Sequence, residues 1–349
     1  GTDRSAQILL ILIFIFFFNI MQSKDNDNKI LKNLSMLLIL VFLASSMKAI
    51  YYLYIILIPL IFLKKKLIRN FLVKKNFLLI FFILFSLFLN LTVNYFNTGC
   101  LLYPAEKTCI FKQEWSINKE EVKVMSLHYE WWSKAGGGPG YKSDIPRETY
   151  VKDFNWVKNW IDRHFFNKVS DTLLGIIFIS ILVLFSFKNF SKSKYKNIKK
   201  LHFLYYFVPI FFLLEWFFNH PSMRYGGYVL FAIPIFLLTS SIIEKYKIEK
   251  KTIGRLTVFF ILLSLVVFNV RNISRIAKET RIYNYDLIKS PYFFVEQVES
   301  VRITKNNKYN IYSTKKDTMC WASKTPCSYR RNIDIKKFLW MSMVYRNDE

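Results

Sequence analysis

The sequence runs to 349 residues, 53% of them hydrophobic and 35 of them Phe, with a mean hydropathy of +0.21. Its apolar residues lie in runs on the scale of a hydrocarbon core about 30 Å thick, which takes roughly 20 residues of helix to cross; that clumping excludes a soluble globular protein. The net charge of +26 does not point to nucleic acid, because much of the lysine sits in short clusters beside apolar runs and no arginine-rich stripe with interleaved aromatics is present.

The chain starts at Gly1 rather than Met, and no charged leader with a cleavage site precedes the first apolar run. Either a processed chain or, in preference, an N-terminally incomplete one is expected. Apolar segments follow at 8–21, 30–45, 49–63, 77–96, 172–187, 201–218, 228–243 and 256–270. Backbone in lipid must satisfy its own hydrogen bonds, and these Phe/Ile/Leu runs lack the alternation of barrel strands, so helices are expected. Segments 30–45 and 49–63 are each short for a crossing. They are either two short helices meeting at Ser46-Met47-Lys48 or one broken element, which makes the count seven or eight.

Three connections are densely basic. Lys64, Lys65, Lys66, Arg69, Lys74 and Lys75 fill the first; Lys188, Lys192, Lys194, Lys196, Lys199 and Lys200 fill the second. Lys245, Lys247, Lys250, Lys251 and Arg255 dominate the third, against Glu244 and Glu249. The bias of Lys and Arg toward cytoplasmic loops places all three inside, and two spans separate each from the next, so the parity agrees. Four regions follow: N-terminal transmembrane helices at 1–97, an extracytoplasmic loop region at 98–170, C-terminal transmembrane helices at 171–270, and an extracytoplasmic tail at 271–349. With eight spans, Lys48 and residues 1–4 also face outside.

Cys100 and Cys109 fall in the outer loop region and Cys320 and Cys327 in the tail, none of them in a span or basic loop. Two local disulfides are expected on the oxidising side; a four-cysteine zinc site is the rival, disfavoured because no CxxC pair occurs. The loop region carries Trp115, Trp131, Trp132, Trp156 and Trp160. In 151–166 (VKDFNWVKNWIDRHFF) the spacing of Phe154, Val157, Trp160 and Ile161 predicts an amphipathic helix at the membrane surface. The run Gly136-Gly137-Gly138-Pro139-Gly140 lacks the GxxxxGK[ST] pattern of a phosphate loop and reads as a mobile hinge or lid. In the tail, Tyr309-Asn310-Ile311-Tyr312 reads as a short strand, and a small appendage with some α and some β structure is expected.

Charged groups inside or at the edge of spans are expensive, so each is a candidate for function. Glu215 lies near the end of its span, five residues before His220, with Arg224 and Tyr225 following. An arginine fork there suits an oxyanion; a structural Glu215–Arg224 ion pair, or Arg224 reaching to lipid head groups, is the plain alternative. Lys48 suits a lipid-linked phosphate or the same snorkelling role. Asp3, beside Arg4, is a carboxylate at a span end that suits a general base. The four histidines (His128, His164, His202, His220) are scattered without HExxH spacing, and neither a GxSxG elbow nor a Walker loop is present.

The string His220-Pro221-Ser222-Met223-Arg224-Tyr225, followed by Phe231-Ala232-Ile233-Pro234, resembles the late Arg-Tyr…Pro segment of GT-C-type membrane glycosyltransferases, and the Lys48 turn is similar to theirs. Thr98-Gly99-Cys100-Leu101-Leu102-Tyr103-Pro104, Glu114-Trp115-Ser116, Trp132-Ser133-Lys134-Ala135-Gly136 and Cys320-Trp321 resemble bacterial polytopic proteins of uncharacterised activity associated with surface-polysaccharide genes. The resemblance implies an all-α, GT-C-like polytopic membrane protein of about seven to eight helices with a small α+β tail, in the bacterial inner (plasma) membrane.

It further implies transfer of sugar from a polyprenyl-phosphate-linked donor to a glycan or lipid acceptor on the outer face, in cell-envelope polysaccharide assembly. In GT-C enzymes a carboxylate of the first outer loop is the general base and basic groups stabilise the departing lipid phosphate. Here Asp3 and Glu215 are the catalytic candidates, and Lys48, Lys134, His220, Arg224 and Tyr225 the substrate-binding ones. The family's first loop is expected upstream of Gly1, so Asp3 is its remnant or belongs to a later loop. No cofactor is expected, with a divalent metal left open. A polysaccharide polymerase or ligase is the alternative within envelope chemistry. A transporter or flippase is the rival from another class, disfavoured because no internal repeat is evident and the charged groups cluster at span ends.

Overall fold

The computed structural model describes residues 2–23, 27–65, 77–110, 113, 115–138, 141–187, 203–244, 246, 250–286, 288–289, 298–303, 310–315, 320, 323–328, 332–338 and 341–346. The basic residues at 66–75 and 188–200, with Lys245, Lys247 and Glu249, fall outside them, as do Glu114, Pro139, Gly140, His202, Tyr309 and Trp321. The described chain is mostly helical, and five helices are long and apolar enough to cross a membrane: Asp3–Gln22, Lys29–Met47, Ile80–Thr98, Val157–Phe187 and Lys251–Tyr283. They mark a membrane protein. Three shorter apolar helices accompany them, Ala49–Leu63, Tyr205–Asn219 and Gly227–Ile243.

The chain divides into two compact units, Gly1–Lys247 and Ile248–Glu349. In the first, α1 (Thr2–Gln22) packs along α2 (Asp27–Met47). Lys48 then turns to extended backbone (φ −151°, ψ 125°), which stops α2. A 3-10 segment, Ala49–Ile56, restarts the helix and runs into α3 (Leu57–Lys65). The stretch 30–63 is therefore two elements with Lys48 at the break. After α4 (Phe77–Thr98), α5 (Lys119–Ser133) starts under an Asn118 cap, whose side chain accepts from the Glu121 N–H at 2.8 Å. Two turns, α6 (Arg147–Tyr150) and α7 (Val157–Trp160), lead through a π-helical stretch, Ile161–Val169, into α8 (Ser170–Phe187). The bundle closes with α9 (Phe203–Asn219) and α10 (Gly227–Ile243), each with an internal proline, Pro209 and Pro234.

Between apolar helices in lipid there is no hydrophobic drive, so close side-chain packing decides which faces meet. The buried seam is aromatic: Phe14 of α1 meets Tyr54 and Phe212 edge-on, and Tyr54 stacks on Phe212 with centroids 4.3 Å apart and planes 6° apart. Such pairs contribute about 0.5–1.5 kcal/mol beyond their area. The opposite faces stay apolar yet uncovered, as Phe81, Phe85 and Phe88 of α4 show; that pattern suits helices whose outer solvent is hydrocarbon.

Two expectations change in this unit. The helix expected over 151–166 begins only at Val157, because Val151–Trp156 turn back on α6. Trp160 is buried while Phe154 is 64% exposed, so the expected single apolar face is split. The glycine run is packed rather than hinged: β1 (Gly137–Gly138) pairs with β2 (Tyr141–Lys142), and a Cβ on Gly136 or Gly137 would come within 2.2 Å of the Trp131 indole. The bare backbone is what lets the ring lie flat on the chain.

The second unit holds α11 (Lys250–Tyr283) and two antiparallel ribbons. β3 (Ser300–Arg302) pairs with β4 (Tyr312–Thr314), and β5 (Ile333–Phe338) pairs with β6 (Met341–Arg346). The strand expected from 309 thus begins at Tyr312, beside a bridge to Cys327. Cys100 bonds Cys109 and Cys320 bonds Cys327, leaving no free cysteine. A maleimide should therefore add no mass to the unreduced protein and four adducts after reduction; an adduct on Cys100 or Cys109 before reduction would remove that bridge.

Candidate functional site

The site grows from three places where helices stop. The first is the start of α1, where Asp3 and Gln7 lie one turn apart and so share a face. The second is the break at Lys48. The third is the link between α9 and α10, residues 220–226, where a short 3-10 turn, Met223–Tyr225, stands between the two helices. Four consecutive carbonyls of that link are taken by side chains. Trp160 Nε1 donates to Pro221 O at 2.5 Å and Trp216 Nε1 to Ser222 O at 2.9 Å. Gln7 Nε2 donates to Met223 O at 3.0 Å and Lys48 Nζ to Arg224 O at 3.0 Å. Gly226 then takes a left-handed conformation (φ +99°) and caps α10, its carbonyl accepting from Val229 and Leu230.

Held this way, Arg224 turns its side chain to α1. Its Nε donates to Asp3 Oδ2 at 3.0 Å, while Lys48 Nζ donates to Asp3 Oδ1. One carboxylate therefore bridges two cations that lie 45 and 221 residues away in sequence. Aromatic rings back both cations: Lys48 Nζ lies 4.8 Å from the Tyr225 centroid and Arg224 Cζ 5.5 Å from that of Trp132. The remaining hydrogens of the guanidinium carry no hydrogen bond among the described residues, and the Arg224 side chain is 57% exposed.

All three charges line a cavity of about 780 Å³. One wall is Ser126, His128, Tyr129 and Trp132 of α5; another is Leu102–Ala105. That second wall lies within the ring closed by Cys100–Cys109, and the Leu101 N–H to Thr108 O (3.0 Å) and Ile110 N–H to Gly99 O (2.8 Å) bonds draw its two ends together. Burial pushes the His220 imidazole below its ordinary range; Glu130 opposes and Lys134 adds to the shift. Burial, with Arg147 adding, does the same to His128. Both rings therefore face the cavity neutral at pH 7, and His220 Nδ1 is buried without a hydrogen-bond partner among the described residues. Burial also raises the Tyr225 phenol, against Arg224, so it stays a neutral donor.

Of the residues singled out in the sequence, Asp3, Lys48, His220, Arg224 and Tyr225 meet in this cavity. Glu215 does not line it: its Oε1 accepts from Asn219 Nδ2 at 3.2 Å, and Arg224 pairs with Asp3 instead. Lys134 does not line it either: it is buried, 4% exposed, donating to Glu130 Oε1 at 2.5 Å and to Val151 O at 3.0 Å. Trp132, Tyr129, His128 and the 102–105 segment were not expected at the site. Nor was Gln7, although an amide one turn after Asp3 in an apolar run was a readable signal. Among the described residues no three His, Cys, Asp or Glu side chains gather as a metal site.

The sequence matches, over residues 2–231, the family described as a domain of unknown function, DUF8201. The chain belongs to that family. The matched stretch contains every residue that lines the cavity. No curated protein and no solved structure matches the chain.

Because the link depends on Gly226, Gly226→Ala should be costly for this DUF8201 member. The left-handed backbone is strained for any residue with a Cβ, and the added atom would lie 3.1 Å from Leu10 Cδ1. A loss of about 1–2 kcal/mol is expected, read as a lower thermal midpoint in detergent; an unchanged midpoint would show that the link tolerates another path.

Proposed function

We propose that this cavity is the active site of a GT-C-like glycosyltransferase of cell-envelope polysaccharide assembly, multi-pass in the bacterial inner membrane, using a polyprenyl-phosphate-linked sugar. The observation that carries the reading is the convergence of Lys48 and Arg224 on Asp3 within one aromatic-walled cavity. Two cations at adjacent helix ends suit a phosphate at the membrane surface, and the arginine fork suits its paired oxygens. A carboxylate beside them suits a base.

The chemistry balances as follows. The acceptor hydroxyl oxygen attacks the anomeric carbon of the sugar, and its proton passes to an Asp3 carboxylate oxygen. The bond from that carbon to the phosphate oxygen breaks, and its electron pair stays on the lipid phosphate. Lys48 and Arg224 stabilise the charge that develops there, the role in which fixed electrostatics contribute most. The walls from α5 and 102–105 limit water, which would otherwise take the sugar.

Eight crossings fit this reading, with the 49–65 element, α9 and α10 joining the five longer helices. The contacts of Asp3 with Lys48 and Arg224 support two crossings, α1 and α2, that return the chain to one side. If 30–63 were a single crossing, Asp3 would lie on the side opposite the 220–226 link. On this reading the cavity faces the extracytoplasmic side. Cysteines placed at Ser126 and Lys196 should accordingly react with an impermeant thiol reagent from opposite sides of the membrane; labelling of both from one side would end the assignment.

The catalytic test uses the complete gene product. Asp3→Asn should slow glycan transfer by about 10²–10⁴-fold, the range for loss of a general base. Arg224→Ala should slow it by about 10²–10³-fold, as for loss of one oxyanion-stabilising donor. Membrane insertion should be normal in both. Unchanged product from Arg224→Ala would remove Arg224 from the active site.

A further inference from the structure

Both oxygens of the Asp3 carboxylate are already engaged, Oδ1 by Lys48 and Oδ2 by Arg224. A base whose lone pairs point at cations is poorly placed to take a proton from an acceptor. The same two cations are the groups that would receive a phosphate; the guanidinium keeps donors to spare, but an arriving anion competes with Asp3 for the charge of both cations. The charge count is uneven, since one carboxylate faces two cations and leaves a surplus of one positive charge at the cavity. Arg224 is the more open partner, with its side chain 57% exposed against 16% for Lys48, so it is the one an arriving anion reaches first.

We infer that Asp3 is the resident counter-ion of an anion-exchange site: a phosphate ester displaces it from Arg224 and Lys48, and only that displacement frees the carboxylate to act as base. The inference rests on the reading of Lys48 and Arg224 as phosphate-facing cations. It adds a coupling which that reading does not contain, because donor binding then unmasks the group that activates the acceptor, and an empty site cannot activate water. The surroundings suit such an exchange. Lys48 keeps Arg224 O as a fixed partner, so the backbone stays in place when the side-chain pairs change. Tyr225 and Trp132 cover one face of each cation whichever anion is bound. Asp3 itself is 27% exposed, so a released carboxylate has room beside the cavity.

The test is a sign. Full-length protein in neutral detergent is titrated with inorganic phosphate and, separately, with micelles doped with a polyisoprenyl phosphate, binding being read from ³¹P line broadening. Tighter binding of the doped micelles than of free phosphate would identify the lipid as the source of the anion. For the phosphate source that binds, removing the competing anion should strengthen binding, so Asp3→Asn should bind about fivefold tighter than wild type, while Lys48→Ala and Arg224→Ala bind more weakly. Equal or weaker binding by Asp3→Asn, with the two cation variants still weakened, would overturn the exchange and leave the phosphate-site reading standing. Failure of wild type and Asp3→Asn to bind either phosphate source would overturn both.

A measurement on wild type covers the case in which Asp3→Asn does not fold. Carbodiimide labelling of Asp3, read by peptide mass and normalised to the exposed Glu148, should rise when doped micelles are added. Protection of Asp3 would refute displacement.

Discussion

The 220–226 link has to exist before there is a site, and it exists because side chains from four elements satisfy its backbone. Pro221, Ser222, Met223 and Arg224 present their carbonyls in succession, and Trp160, Trp216, Gln7 and Lys48 each take one. A carbonyl left unpaired in a buried place costs about 1–3 kcal/mol, so the donors matter most at the buried Pro221 and Met223 carbonyls; Ser222 O also accepts from the Tyr225 N–H at 2.9 Å, and the Lys48 bond to Arg224 O is exposed. The consequence runs in both directions. The link is held by α1, the Lys48 break, α7 and α9, and those elements are in turn registered against one another by the link. Lys48 joins the two tasks, since one ammonium group holds the Arg224 backbone and the Asp3 carboxylate.

This arrangement also explains why charges are tolerated here. Each of the three sits at a helix end or break rather than in mid-helix, where a charged group in hydrocarbon is most costly. Exposed ion pairs contribute only about 0–1 kcal/mol, and the pair made by the open Arg224 side chain belongs in that range. The triad is therefore not the main source of the unit's stability. Aromatic packing of Phe14, Tyr54 and Phe212 below, and indole donors beside the link, hold the frame; the charges ride on it.

Much of the helical layout was readable, because apolar runs in a chain with 35 Phe leave few other ways to satisfy backbone. The disulfide partners were readable too, since each cysteine had one neighbour within ten positions. The charged residues at run ends stood out for the cost argument alone, and Asp3, Lys48, His220 and Arg224 meet. What stayed hidden was long-range. Nothing local says that Trp132 lies over Arg224, or that the disulfide ring supplies a wall. Local signals misled in two places. The 3.6-residue spacing in 151–166 was genuine, but Val151–Trp156 answer to the turn after α6 rather than to their own periodicity. The glycine run looked mobile because a sequence does not show the Trp131 ring that needs bare backbone. Lys134 shows the reverse case: Glu130 stood four residues before it, at the spacing of a helical ion pair, and that partner was the better guide to a buried structural place outside the cavity lining.

The unequal charge count is the feature that the frame makes chemically useful. In water a surplus of one positive charge is screened within a Debye length of about 10 Å, and any anion would answer it. Here the surplus faces a cavity walled by Tyr129, Trp132, Tyr225 and the 102–105 segment, with both imidazoles kept neutral by burial. Low-polarisability walls let a single net charge reach farther into the cavity than it would across water. Because the histidines add no charge of their own, the charges that line the cavity are those of Asp3, Lys48 and Arg224, and their sum changes by one full unit according to whether Asp3 stays. A site that holds its own counter-ion in this way stays nearly silent to water and small neutral solutes, and answers to an anion able to displace a carboxylate from a guanidinium.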